Sequence, residues 1–114
     1  MISTHVLDTA RGRPATGVPV ALEQLDAGET SGARTVAQAV TDADGRVREL
    51  VPATASLGVG HYRIRFDTGA YFRAQRTEGF YPEVVVVFEI RNASEHHHVP
   101  LLLNPYGYST YRGS

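Results

Sequence analysis

The sequence predicts an all-β protein: a two-sheet β-sandwich of about eight short strands with one short helix among them. Three observations carry that expectation. Short alternating runs recur along the chain with Gly, Pro, Asp or Asn between them, the pattern of sandwiches. Val, Thr and Tyr are abundant while lysine, a good helix former, is absent. Residues 61–67 alternate without a break, with Tyr62, Ile64 and Phe66 on one side and His61, Arg63, Arg65 and Asp67 on the other.

Residues 2–7 read as the first strand, with Ser3, His5 and Leu7 on one face and Ile2, Thr4 and Val6 on the other. Gly12 and Pro14 mark a turn after it. Residues 18–25 form a second strand with Val18, Val20 and Leu22 on a common face, and Pro19 points to an edge position or a bulge. Residues 26–34 are polar and Gly-rich, which predicts a loop. A weakly alternating run, 35–40, leads into Thr41-Asp42-Ala43-Asp44-Gly45, whose Asp-Gly is a strong turn signal, and 46–50 return as a short strand. Residues 52–60 are a loop of small side chains. After the strand at 61–67, Thr68 is placed to cap a helix running to Ala74, with Gly79 beyond it. Residues 83–90 are apolar on both faces at 84–88, as a strand buried between two layers would be. Asn92-Ala93-Ser94 is a turn. It is also a formal glycosylation triplet, set aside because nothing argues for secretion. The last two strands, 98–103 and 106–112, meet at the turn-favouring Asn104-Pro105.

Composition narrows the function. The length of 114 residues fits one domain spanning 1–114, and 42% apolar with 20% charged residues fits a soluble globular chain. A formal net charge of −1 with no basic run gives no support to nucleic-acid binding. The absence of cysteine excludes disulfides, a thiolate nucleophile and zinc–cysteine sites. The first residues carry neither a basic nor an apolar region of an export signal, and 84–90 is too short to span a bilayer. The expectation is a cytoplasmic protein without a membrane partner.

Five histidines are the obvious chemical groups: His5, His61, His96, His97 and His98. His61 lies on the polar face of its strand and reads as a surface residue. Strand alternation sends His97 away from its neighbours, so at most His96 and His98 could share an ion, with no carboxylate or thiolate beside them on that face. Arg46 follows the Asp-Gly turn and on pattern alone is a solvated arginine. The end of the sequence is dense in aromatic and hydrogen-bonding groups, with Ser109, Tyr111 and Gly113 on one strand face and His96, His98, Pro100 and Leu102 on one face of the strand before. Coincidence of those faces would bring a histidine, a tyrosine and the terminal carboxylate together; ordinary core packing is the simpler alternative. Nothing to this point selects a reaction.

His5-Val6-Leu7-Asp8, followed by Gly12-Arg13-Pro14-Ala15 and Val18-Pro19-Val20, resembles the first signature of the transthyretin-like family. The run from Val99 through Pro100, Leu101, Leu102, Leu103, Asn104, Pro105, Tyr106, Gly107 and Tyr108 to Ser109 resembles the second. Thr41-Asp42-Ala43-Asp44-Gly45-Arg46, Gly60-His61-Tyr62, Asp67-Thr68 and Tyr71-Phe72 fall between them in the family's order. The family contains hormone carriers and 5-hydroxyisourate hydrolases, and the distinguishing positions read as hydrolase. His5, Arg46 and His98 match the enzymes' two histidines and arginine, and Tyr111-Arg112-Gly113-Ser114 matches the tetrapeptide that the carriers lack. His97 stands where tyrosine is more usual and Asn104 where serine is.

The resemblance implies a transthyretin-like sandwich assembled as a homotetramer, a dimer of dimers, with sites in a central channel between dimers. It implies ring opening of 5-hydroxyisourate to 2-oxo-4-hydroxy-4-carboxy-5-ureidoimidazoline in urate degradation; no cofactor is expected, and the histidine faces described above lead to the expectation of no metal. His5, Arg46, His98 and Ser114 would be catalytic, and His5, Arg46, Tyr111, Arg112 and Gly113 would bind substrate. His5 is favoured as the base that takes a proton from water, His98 as the group that orients the water or serves the leaving nitrogen, and Arg46 as the holder of developing negative charge. Tyr111 would wall the pocket, and the Ser114 hydroxyl or carboxylate would fix a histidine tautomer. A non-enzymatic ligand carrier on the same fold is the alternative.

Overall fold

The computed structural model describes residues 1–26, 29–55 and 57–114. Among them nine strands and one helix form: β1 (Ile2–Asp8), β2 (Arg13–Pro14), β3 (Pro19–Asp26), β4 (Glu29–Val40), β5 (Arg46–Val51), β6 (Gly60–Phe66), α1 (Thr68–Ala74), β7 (Val84–Ile90), β8 (His97–Asn104) and β9 (Gly107–Thr110). One sheet runs β4-β3-β6-β7. The other runs β2-β1-β8-β9, with β5 also on β1. The β1–β8 pair is parallel and sets Ser3 opposite His98 and His5 opposite Pro100. The remaining pairs are antiparallel, and β5 sets Arg46 opposite His5.

Alternation decides which side of each sheet is dry. Ile2, Thr4 and Val6 of β1 and Val99, Leu101 and Leu103 of β8 are buried against Val20, Leu22, Tyr62, Ile64 and Phe66 of the facing sheet. Each fully buried side chain of this size contributes roughly 1.5–3 kcal/mol through lost apolar surface. The other face of β1 and β8 therefore carries Ser3, His5, Leu7, His98, Pro100 and Leu102, and β9 adds Ser109 beside Leu102.

Several local expectations change. Residues 26–34, expected as a loop, instead lengthen a β-hairpin: Asp26 closes β3 and 29–34 open β4, while 27–28 lie outside the described residues. A polar sequence suffices there because β4 is an edge strand. Ser56, within the expected loop 52–60, also lies outside them. Pro19 marks neither an edge strand nor a bulge. It is the first residue of a central strand, a position where its missing N–H costs nothing. The helix is capped by Asp67, whose Oδ1 accepts from Ala70 N at 3.0 Å, and not by Thr68, which is buried. Its end at Ala74 is the expected one: Arg76 takes a left-handed φ of 53°, and Thr77 N and Arg76 N return to the Phe72 and Arg73 carbonyls. The strand β7 is not buried between layers; it edges its sheet, and Val87 is 54% exposed.

Candidate active site

A turn built by aspartate delivers Arg46. Asp42 Oδ1 accepts from Asp44 N at 2.9 Å and Arg46 N at 3.0 Å, and Gly45 N returns to the Asp42 carbonyl. Gly45 has φ 74°, and a Cβ there would collide with the Val6 carbonyl oxygen, so the turn lies against β1 only because position 45 has no side chain. The chain leaves it as β5, with Arg46 alongside His5. Among the described residues no carboxylate lies within ion-pair distance of the Arg46 guanidinium. Arg48, on the same strand face, reaches Asp44 at 3.6 Å.

The same turn fixes the proton on His5. Its Nε2 lies 2.9 Å from the Asp44 carbonyl oxygen, which can only accept, so Nε2 carries the proton and Nδ1 keeps its lone pair. Burial, then the Arg46 charge, lowers the His5 pKa and favours this neutral form.

His98 is half-buried one strand away, with Nδ1 at 2.7 Å from Ser3 Oγ. Burial comes first in lowering its pKa, followed by the charges of His96, Arg46 and His5. Ser3 Oγ also lies 2.7 Å from Nε2 of His96, and the two imidazole centroids are 6.2 Å apart. The end of the sequence closes over this pair. Gly113 N donates to the His98 carbonyl at 2.9 Å, and a Cβ on Gly113 would strike the His98 ring. Ser3, Arg46, Arg48, His96, His98 and Ser114 line one cleft of about 210 Å³.

Tyr111 and Arg112 border a neighbouring cavity of the same volume, together with Val86, Phe88 and His97. His98 is common to both. Tyr111 is 59% exposed, and Arg112 reaches Glu95 at 3.2 Å. Within one protomer, then, Arg46, Gly113 and Ser114 lie about the His98 ring, His5 stands beside Arg46 in the ladder, and the Tyr111 and Arg112 side chains lie on the ring's other flank. The two departures from the family pattern have separate places. His97 is buried toward Phe88, with ring centroids 6.4 Å apart. Asn104 Oδ1 accepts from Tyr106 N at 2.9 Å in the β8–β9 turn, an Asx contact that serine makes more weakly.

Sequence reading left Ser3 without a role and considered His96 only as half of a metal pair. Their link to His98 comes from the parallel β1–β8 register, which joins residues more than ninety positions apart and leaves no local sequence signal.

Comparison with known proteins identifies the family. A curated 5-hydroxyisourate hydrolase of Salmonella dublin is 46% identical over 114 residues, covering 100% of this chain and 81% of the relative. The structure of Klebsiella pneumoniae 5-hydroxyisourate hydrolase superposes with TM-score 0.83 at 39% identity, covering 99% of this chain and 92% of the other. Sea bream transthyretin, solved in complex with thyroxine, superposes with TM-score 0.86 at 31% identity over 98% of this chain and 93% of its own. The family model described as HIUase/Transthyretin matches residues 2–113, and the chain belongs to that family.

Proposed function

We propose that this chain is a hydrolase that opens the ring of 5-hydroxyisourate to 2-oxo-4-hydroxy-4-carboxy-5-ureidoimidazoline in urate degradation. Full-length similarity to hydrolases supports the reaction. The observation that carries it is an arginine without a carboxylate partner among the described residues, beside two histidines whose pKa values burial lowers first of all. A carrier of uncharged ligands has no use for that combination, whereas hydrolysis of an amide-like bond uses every part of it.

The bare Nδ1 of His5 takes the proton of the attacking water. Negative charge grows on the attacked carbonyl oxygen, and the Arg46 guanidinium, uncommitted to any carboxylate among the described residues, is free to hold it. Such a donor is worth roughly 3–4 kcal/mol in the transition state. His98, with Nδ1 on Ser3, has Nε2 left for the leaving nitrogen. Ser114 closes the cleft, Gly113 lets the main chain approach the His98 ring, and Tyr111 with Arg112 binds substrate from the other flank.

This reading treats residues 1–114 as one domain, supported by a single core drawn from both sheets. It includes a homotetramer, a dimer of dimers whose partners bring Tyr111 and Arg112 flanks up to neighbouring clefts. The half-buried, partly apolar outer face of the five-stranded sheet and the exposed Val87 on the β7 edge support such burial. Light scattering should give about four times 12.4 kDa; an active monomer would rule the shared site out. Among the described residues no helix is long and apolar enough to cross a membrane. The proposed location is cytoplasmic, and activity should follow the soluble fraction of cells. The direct test follows freshly generated 5-hydroxyisourate in ultraviolet light. Protein should accelerate its decay in proportion to concentration, and unchanged decay would reject the reading.

A further inference from the structure

Ser3 has one hydroxyl proton and two imidazole nitrogens at 2.7 Å, His98 Nδ1 and His96 Nε2. Both nitrogens cannot be bare, because the hydroxyl can donate to only one of them. The protonation of one ring is therefore tied to that of the other. The two rings differ in setting: His96 is exposed, and His98 is half-buried.

We propose that Ser3 is a positioning residue that couples the two histidines, holding His98 with its proton on Nε2 and passing it a proton from His96 as the leaving nitrogen departs. The proposal rests on the hydrolase reading above. The groups around His98 give the direction of transfer. It shares its clefts with Ser3 from β1, Arg46 and Arg48 from β5, His96 before β8, Ser114 at the rim, and Glu89, Tyr111 and Arg112 on the opposite flank, while His5 of β1 acts on it only through space. Burial, and after it the positive charges of protonated His96 and of Arg46, make His98 a poor place to store a cation. His98 serves as an acid only if a proton reaches it during the transfer, and exposed His96 is where solvent can load one.

The step balances. The leaving nitrogen keeps the electron pair of the breaking C–N bond and takes the proton from His98 Nε2. His98 Nδ1 takes the hydroxyl proton of Ser3, and Ser3 Oγ takes the Nε2 proton of cationic His96, which ends neutral with its proton on Nδ1. The cycle closes when His5 releases to solvent the proton it took from the attacking water, a proton from solvent reaches His98 Nε2, and the His98 Nδ1 proton returns through Ser3 to His96.

The test compares Ser3→Ala, Ser3→Thr, His96→Gln and the Ser3→Ala/His96→Gln double variant in ultraviolet assays of 5-hydroxyisourate decay, with circular dichroism as the folding control. Ser3→Ala should lower kcat on the order of 10²-fold with KM nearly unchanged, and Ser3→Thr should recover most of the loss. His96→Gln, at an exposed position that packing does not need, should lose as much, and the double variant no more than either. The alkaline fall of kcat in the wild type should vanish in Ser3→Ala. Losses that multiply in the double variant, or a wild-type pH profile in Ser3→Ala, would overturn the proposal. Imidazole ¹⁵N spectra of the resting protein decide independently of activity. They should show His98 protonated on Nε2 with a bare Nδ1, and the reverse tautomer would overturn it even if the hydrolase reading stands. Inactive wild-type protein would reject the hydrolase reading instead, leaving the spectra to judge the coupling.

Discussion

The outer faces of the two sheets treat charge in opposite ways. On the four-stranded sheet Glu23 of β3 faces Arg63 of β6 directly across the ladder, with Nε to Oε1 at 2.7 Å. Arg65 lies 3.4 Å from the same carboxylate and 2.8 Å from Glu83 Oε2. The Arg63 hydrogen bond, more than any other interaction, holds the Glu23 carboxyl below the usual carboxylate range. On the five-stranded sheet the corresponding face carries Arg46 without a carboxylate partner among the described residues, beside two imidazoles whose pKa values are lowered. Charges satisfied within a ladder hold strands together and have little left for a ligand. A half-buried guanidinium without an anion is costly in the free protein and becomes useful when substrate charge reaches it.

Breaking this contrast at Arg46 should have the largest effect. Arg46→Lys keeps the charge and loses the planar fork, and is expected to lower kcat by about 10²–10³-fold with little change in melting temperature. Arg48→Lys, whose side chain already reaches Asp44, should change turnover far less. The reverse ranking in steady-state kinetics would move the catalytic role to Arg48.

Gly113→Ala sharpens the comparison by moving the imidazole instead of the cation. The added methyl meets the His98 ring and should push it from its place, costing on the order of 10²-fold in kcat while circular dichroism stays native. Full activity would show that the tail tolerates what the His98 contact forbids, and would detach it from the site.

Glu23→Gln carries the test to the other sheet. It unpairs Arg63 and weakens Arg65, so urea denaturation should show a loss of about 1–2 kcal/mol. Specific activity of the folded fraction should be unchanged. A large fall in kcat would mean that the two faces are not independent.

The smallest effect is in pH. His5, His97 and His98 all have pKa values below the ordinary 6.5, burial being the first cause in each. The unfolded chain therefore binds more protons than the folded one across that range. This contribution to stability is fully present above pH 6.5 and declines as pH falls through the lowered native values. Thermal melts between pH 8 and 5 should drop by a few degrees, and His97→Tyr should reduce the slope.

Much of the fold was legible in sequence because it is written in periods of two and in turn chemistry. Tyr62, Ile64 and Phe66 alternate into the core, and Asp44-Gly45 turns the chain toward β5. Each of those signals is complete within a few residues. The proposed site was legible through motif resemblance, which named His5, Arg46, His98 and the tail without saying how they meet. Tertiary structure decided the rest. Residues 26–34 carry loop-like polarity and still build a hairpin, because backbone pairing with a neighbour outweighs composition at an edge. The valines of β7 looked like a strand covered on both faces, yet a run apolar on both sides reads alike whether a second layer or another surface covers it. Asp67 instead of Thr68 caps the helix, a choice between adjacent capping residues that depends on where the preceding strand ends. Most of all, local sequence determined that Ser3 and His98 sit on outward faces, but only the parallel β1–β8 register set them opposite one another. Register over so long a separation is fixed by how the whole core packs, and no local run of residues encodes it.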